Sequence, residues 1–179
     1  MKGAQKISVI VLLFSIVIFF TSCEKLQELL TTVSGKVAAK SGTIVLALNG
    51  EGDAYEKLSE VNELNENALK AMTNIAKGFD LGTDKDSSYN VILTSGCTVY
   101  IVAISDDGDK QLDSLDLIGW YGETTTFEEG DTIIAGTDTI IVSSGPFTYT
   151  TPEAITIEEG SDIEGINIYN MMEYKLFLQ

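Results

Sequence analysis

Two short runs constrain this chain most. Thr43–Leu48 (TIVLAL) and Thr98–Ile104 (TVYIVAI) are apolar at almost every position. Neighbouring residues of a strand point to opposite faces, so a strand apolar on both must be covered on both. In the second run Val99, Ile101 and Ala103 share one face, and Tyr100, Val102 and Ile104 share the other. The pattern predicts a central strand in a sheet with no solvated side.

The surrounding chain supplies the other layers. Val33–Lys40 (VSGKVAAK) alternates, with a turn at Ser41-Gly42, and Tyr89–Leu93 (YNVIL) meets the central run through Thr94-Ser95-Gly96-Cys97. Ile133–Val142 reads as a hairpin with Gly136-Thr137-Asp138 at its tip. Residues 154–170 carry two short strands around Glu159-Gly160-Ser161, and the last nine residues read as a final strand or a packed tail. Glu123–Gly130 and Ser143–Pro152 read as loops. Short strands at this spacing imply a mainly β fold, a sandwich or barrel.

One stretch breaks the β pattern. Between Asp53 and Gly78, Tyr55, Leu58, Val61, Leu64, Ala68, Met72 and Ile75 recur at steps of three and four. That period predicts a helical insert over about 54–77, capped by Asp53 and ended by Gly78.

The N-terminus points to export. Lys2 and Lys6 precede the apolar run Ile7–Phe20, which is too short for a comfortable membrane span, and Thr21-Ser22 lead into Cys23. Phe20–Cys23 (FTSC) resembles the lipobox of bacterial lipoproteins. The resemblance implies cleavage after residue 22, lipidation of Cys23 and anchoring at the bacterial cell envelope, at the outer membrane or cell surface. The alternatives are an uncleaved anchor or an ordinary signal peptide. Residues 23–32 then read as a tether, with Leu26, Leu29 and Leu30 able to form one helical turn, and residues 33–179 as a single domain.

Composition narrows the function. Without Lys2 and Lys6, 9 of the 11 basic residues remain against 27 acids, a net charge of −18. Such a chain repels nucleic acid and anionic membranes. It has no histidine, which removes the usual triads and most zinc and copper sites. If Cys23 carries lipid, Cys97 is left without an intrachain partner and reads as a thiol in a turn.

The segment from Thr94 to Gly122, TSGCTVYIVAISDDGDKQLDSLDLIGWYG, resembles a recurring stretch of transthyretin-like (prealbumin-like, carboxypeptidase-regulatory-like) β-sandwich domains in secreted bacterial proteins. Thr94–Cys97 stands for the turn, Thr98–Ile104 for the strand, and Gly119-Trp120-Tyr121-Gly122 for the closing motif. The opening VSGKVAAKSGTIVLALNG and the close ITIEEGSDIEGINIYN resemble the first and last strands of that family. The helical insert and the Ile133–Val142 hairpin depart from its compact pattern. The resemblance implies a seven-stranded Greek-key sandwich and a binding or structural role without a specified activity.

The acidic loop Ser105–Asp116 (SDDGDKQLDSLD) is the candidate metal site. Calcium takes six to eight oxygens, and a twelve-residue loop offers them from positions 1, 3, 5, 7, 9 and 12. Starting at Ser105, these positions are Ser105, Asp107, Asp109, Gln111, Asp113 and Asp116, with Gln111 giving its carbonyl. Asp106 alone falls out of phase. Ser105 replaces the first acid and Lys110 stands where glycine gives the sharp turn, so calcium would bind at the weak extracellular end of the range, about 10⁻⁴–10⁻³ M. A solvated acidic turn is the other reading. Trp120 and Tyr121, between glycines after a strand, read as core or rim packing; the other reading, contact with a glycan, defines the alternative function of a carbohydrate-binding or carbohydrate-active surface protein. No spacing singles out a catalytic pair of carboxylates, so the expectation is a non-enzymatic protein with a protein or glycan partner.

Overall fold

The central position of Thr98–Ser105 follows directly from its two apolar faces. A computed structural model describes residues 29–135, 138–143, 145–160 and 162–177, and Cys23, with the leader before it, lies outside them. Strands β1 (Leu30–Lys36), β2 (Ile44–Asn49), β3 (Ala76–Asp80), β4 (Ser88–Thr94), β5 (Thr98–Ser105) and β6 (Leu117–Trp120) build the two main sheets, with helices α1 (Ala54–Ser59) and α2 (Glu66–Ala71) between β2 and β3. β2 lines one edge of β5, from Ile44 opposite Ile104 to Asn49 opposite Val99. The other edge takes β6 along its second half. β3 completes this sheet beyond β2, and all its pairings are antiparallel.

The second sheet pairs β1 with β4, Leu30 opposite Thr94 through Lys36 opposite Ser88. The free edge of β1 receives residues 163–168 in parallel, through Ser34 N–H to Ile163 C=O at 2.9 Å and Ile168 N–H to Lys36 C=O at 2.8 Å. Counting that segment, the order β3–β2–β5–β6 faces β4–β1–(163–168), and β4 returns to β1 around the β2–β3 excursion. This arrangement, extended by further short strands at the β5 and β6 edges, is a Greek-key sandwich.

The period of two sorts the core. Val45, Ala47, Val99, Ile101 and Ala103 meet Val33, Tyr89, Val91, Leu93, Ile166 and Ile168 between the sheets. Ile44, Leu46, Leu48, Val102, Ile104 and Ile118 turn the other way, onto Leu58, Leu64, Leu69 and Tyr149. The central sheet is therefore buried on both sides.

The helical insert is shorter and more broken than its spacing predicts. α1 is capped by Asp53, whose side chain accepts the N–H groups of Tyr55 and Glu56. α2 is capped by Asn65, which accepts from Ala68 N–H. Between them Asn62–Leu64 leaves helical geometry to pair with the acidic loop, by Leu112 N–H to Asn62 C=O and Leu64 N–H to Lys110 C=O. Asparagines favour caps and turns over helix interiors, so the chain stops and restarts here. The restart shifts the buried stripe from Ala68 to Leu69. Gly78 ends no helix; it lies in β3, where a Cβ would meet Ile92 C=O at 2.7 Å.

Two expected loops are strands. β7 (Gly122–Phe127) pairs with β10 (Phe147–Pro152), Phe127 opposite Phe147. Their threonines suit a pleated surface but carry no apolar alternation; Thr124 and Thr150 join hydroxyls at 3.1 Å. β8 (Thr132–Ala135) and β9 (Asp138–Ile141) form the expected hairpin, whose tip residues 136 and 137 lie outside the described ones. β11 (Ala154–Thr156) pairs with the start of β5, and β12 (Met172–Glu173) with β6. The domain also starts earlier than residue 33: Leu30–Thr32 belong to β1 and Leu29 stands in a turn before it, while Leu26 lies outside the described residues. Among the described residues no helix is long and apolar enough to cross a membrane.

Candidate functional site

The acidic loop joins β5 to β6 at one end of the sandwich. Its base is pinned from within. Ser105 closes β5 and is buried opposite Leu117. Asp116 is fully buried, and its two carboxylate oxygens accept Asp107 N–H at 3.0 Å and Asp113 N–H at 2.9 Å. One side chain thus ties both limbs of the loop. Burial pushes its carboxyl above the usual range, against the two N–H donors, which act to lower it.

The remaining aspartates cap their own turns. Asp106 accepts from Gly108 N–H and Lys110 N–H, Asp107 from Asp109 N–H at 3.2 Å, Asp109 from Gln111 N–H at 2.8 Å, and Asp113 from Leu115 N–H at 2.7 Å. Two left-handed residues, Gly108 at φ 121° and Lys110 at φ 63°, allow the chain to double back. Lys110 holds the sharp-turn position of the Ser105 phase and adopts the conformation that glycine would take there.

These bonds gather a different set from the one the Ser105 phase selects. Carboxylate oxygens of Asp106, Asp107 and Asp109 lie within 4.8 Å of one another. Asp106, expected to point away, is turned inward by its two N–H donors. Asp113 and Asp116 are outside this group, held at the base by backbone donors, and the Gln111 backbone pairs with Glu63 of the insert. Asx turns of the D-x-G type, visible in Asp106-Asp107-Gly108, were the available sequence signal for the role of Asp106. Three carboxylates suit a hard, oxygen-seeking cation such as calcium, with water completing its shell. A shallow groove, lined by Asn62, Glu63, Asn65, Asp109, Lys110 and Gln111, runs beside them.

The aromatic pair does not form a surface. Trp120 is 2 % exposed and meets Tyr55 edge-on at 5.3 Å between ring centres. Its indole N–H has no acceptor among the described residues. Tyr121, one residue on, packs half-buried against the opposite core. Trp120 packs in the core and presents no glycan-stacking face, because residue 120 falls on the helix-covered side of the central sheet.

Cys97 sits in the β4–β5 turn, where its thiol donates to Thr94 C=O at 3.0 Å. Burial raises its pKa, which favours the unreactive thiol. The chain matches no protein-family model, no curated protein and no solved structure.

Proposed function

We propose that this protein is an exported, lipid-anchored, non-catalytic binding or structural module of the bacterial cell envelope. It would be a lipoprotein carrying a transthyretin-like sandwich. The observation that carries the reading is the leader: two lysines, an apolar run and Thr21-Ser22 directly before Cys23. It stands only a few residues ahead of a domain whose first strand begins at Leu30. The sandwich supports a scaffold role, since its core is filled on both faces of the central sheet. The acidic loop adds a candidate calcium-stiffened element at one end.

Expression of the full chain in a diderm bacterium tests the anchoring. The protein should fractionate with membranes, lose the mass of residues 1–22 and gain acyl chains at Cys23. Cys23→Ser should release it or leave the precursor uncut. A serine variant that is still processed and acylated overturns the reading.

A further inference from the structure

We propose that the end of the sandwich formed by Leu29, Leu30, Ile92 and the β4–β5 turn seats on the lipid surface that holds Cys23, so that the acidic loop points away from it. This rests on lipidation of Cys23.

The placement begins with reach. Cys23 and Leu29 are six Cα steps apart, which span at most about 20 Å. Leu29 is fixed to one end of the domain: its C=O accepts Ser95 N–H at 2.9 Å, in the turn that leads into β5. The same end holds Thr31, whose hydroxyl donates to Glu158 C=O, and Gly96, whose N–H reaches Ile157 C=O. β5 then runs eight residues from Thr98 to Ser105, about 25 Å at strand rise. The acidic loop starts where β5 ends. Tether and loop therefore occupy opposite poles, and the strand between them is longer than the tether.

The surface chemistry agrees. Leu29, Leu30 and Ile92 are 50 %, 45 % and 62 % exposed. Leu30 and Ile92 share the outer face of the β1–β4 sheet as diagonal neighbours, since Leu30 pairs with Thr94 and Ile92 with Thr32. Three large apolar side chains around the point where the anchored segment enters favour contact with acyl-chain boundaries. Exposed Glu158, Glu159 and Asp162 flank this end, so the contact fits zwitterionic rather than anionic lipid. At the far pole stand Asp106, Asp107 and Asp109, together with the bend of the insert at Asn62–Leu64; the exposed Leu115 and Leu117 of this pole lie beside the acidic cluster, at the end of β5 away from the tether.

The test uses the full acylated protein, in a Cys97→Ser background, bound to phosphatidylcholine vesicles that contain nitroxide-bearing lipid. Ile92→Cys and Leu115→Cys each receive a thiol-reactive fluorophore; both positions are exposed, so the label disturbs no core. Quenching at residue 92 should exceed that at residue 115 at least twofold. Hydrogen exchange of the unlabelled protein should show vesicle-dependent protection in residues 89–97 and none in 106–115. Equal quenching, or stronger quenching at residue 115, with the protein still vesicle-bound overturns the orientation and leaves the anchor intact. A chain that carries no acyl group and stays off the vesicles overturns both.

Discussion

The buried carboxylate of Asp116 accepts the backbone N–H of Asp107 at 3.0 Å, nine residues earlier in the chain. Its other oxygen takes Asp113 N–H. Removing that side chain strands two donors beside a packed core, at about 1–3 kcal/mol each. Asp116→Ala should therefore destabilise the domain by about 2–6 kcal/mol in urea denaturation. Asp106→Ala, which removes a half-buried cap of a local turn, should cost under about 1 kcal/mol. Equal losses would show that the loop base is not held by Asp116.

Calcium should act through the three gathered carboxylates. Asp106→Asn, Asp107→Asn and Asp109→Asn should each weaken binding by a similar factor, whereas a Ser105-phase site would spare Asp106. With calcium at about ten times Kd, stability should rise by about 1.4 kcal/mol. Thermal melts in millimolar calcium and in chelator read this directly. Superimposed curves, with no heat of binding, would leave SDDGDKQLDSLD a solvated turn.

What was legible followed from periodicity. The two apolar runs gave β2 and β5 with both faces buried, because a pleated strand reports each face separately. The Ile133–Val142 hairpin was equally readable. The strands β7 and β10 were hidden because Glu123–Phe127 and Thr148–Thr151 pair through threonines rather than apolar residues. The insert misled because its apolar spacing survives a break at Asn62–Leu64, and only the tertiary pairing with Lys110–Leu112 reveals that break. In the acidic loop, residue spacing located the aspartates, but local N–H donors decided which of them meet. Trp120 between glycines was compatible with core packing or with a glycan face, and the covering helix that decides for the core lies more than sixty residues away in sequence.

Two substitutions test the sandwich itself. A Cβ on Gly35 would clash with Ile166 C=O, in the parallel edge against β1. Gly35→Ala should push residues 163–168 off β1 and expose Tyr89, whose hydroxyl donates to the same carbonyl at 2.6 Å. Ile101→Ala, between the sheets, should cost roughly 2–5 kcal/mol. Hydrogen exchange separates them: Gly35→Ala should speed exchange mainly at Ile163, Ile166 and Ile168, while Ile101→Ala should lower protection throughout. Unchanged exchange at Ile166 in Gly35→Ala would refute the parallel edge.

Alkaline titration probes the same core by charge. Burial holds the phenols of Tyr55, Tyr89, Tyr149 and Tyr174 above their ordinary range; the hydrogen bond with Tyr149 adds to the effect at Tyr55, and neighbouring Tyr121 to that at Tyr89. A pKa raised in the folded state means a contribution fully present below the unfolded value, near 10, and lost as pH rises through the folded one. Stability should thus hold to about pH 10 and fall steeply above it. Absorbance at the phenolate band, followed with far-UV circular dichroism, should show these four tyrosines ionising together with loss of the β signal. Tyr89→Phe should lose about 1 kcal/mol near neutral pH, from its bond to Ile166, yet fall off less steeply in alkali. If all seven tyrosines of the chain ionise while the β spectrum stays intact, the buried phenols are not where the two cores place them.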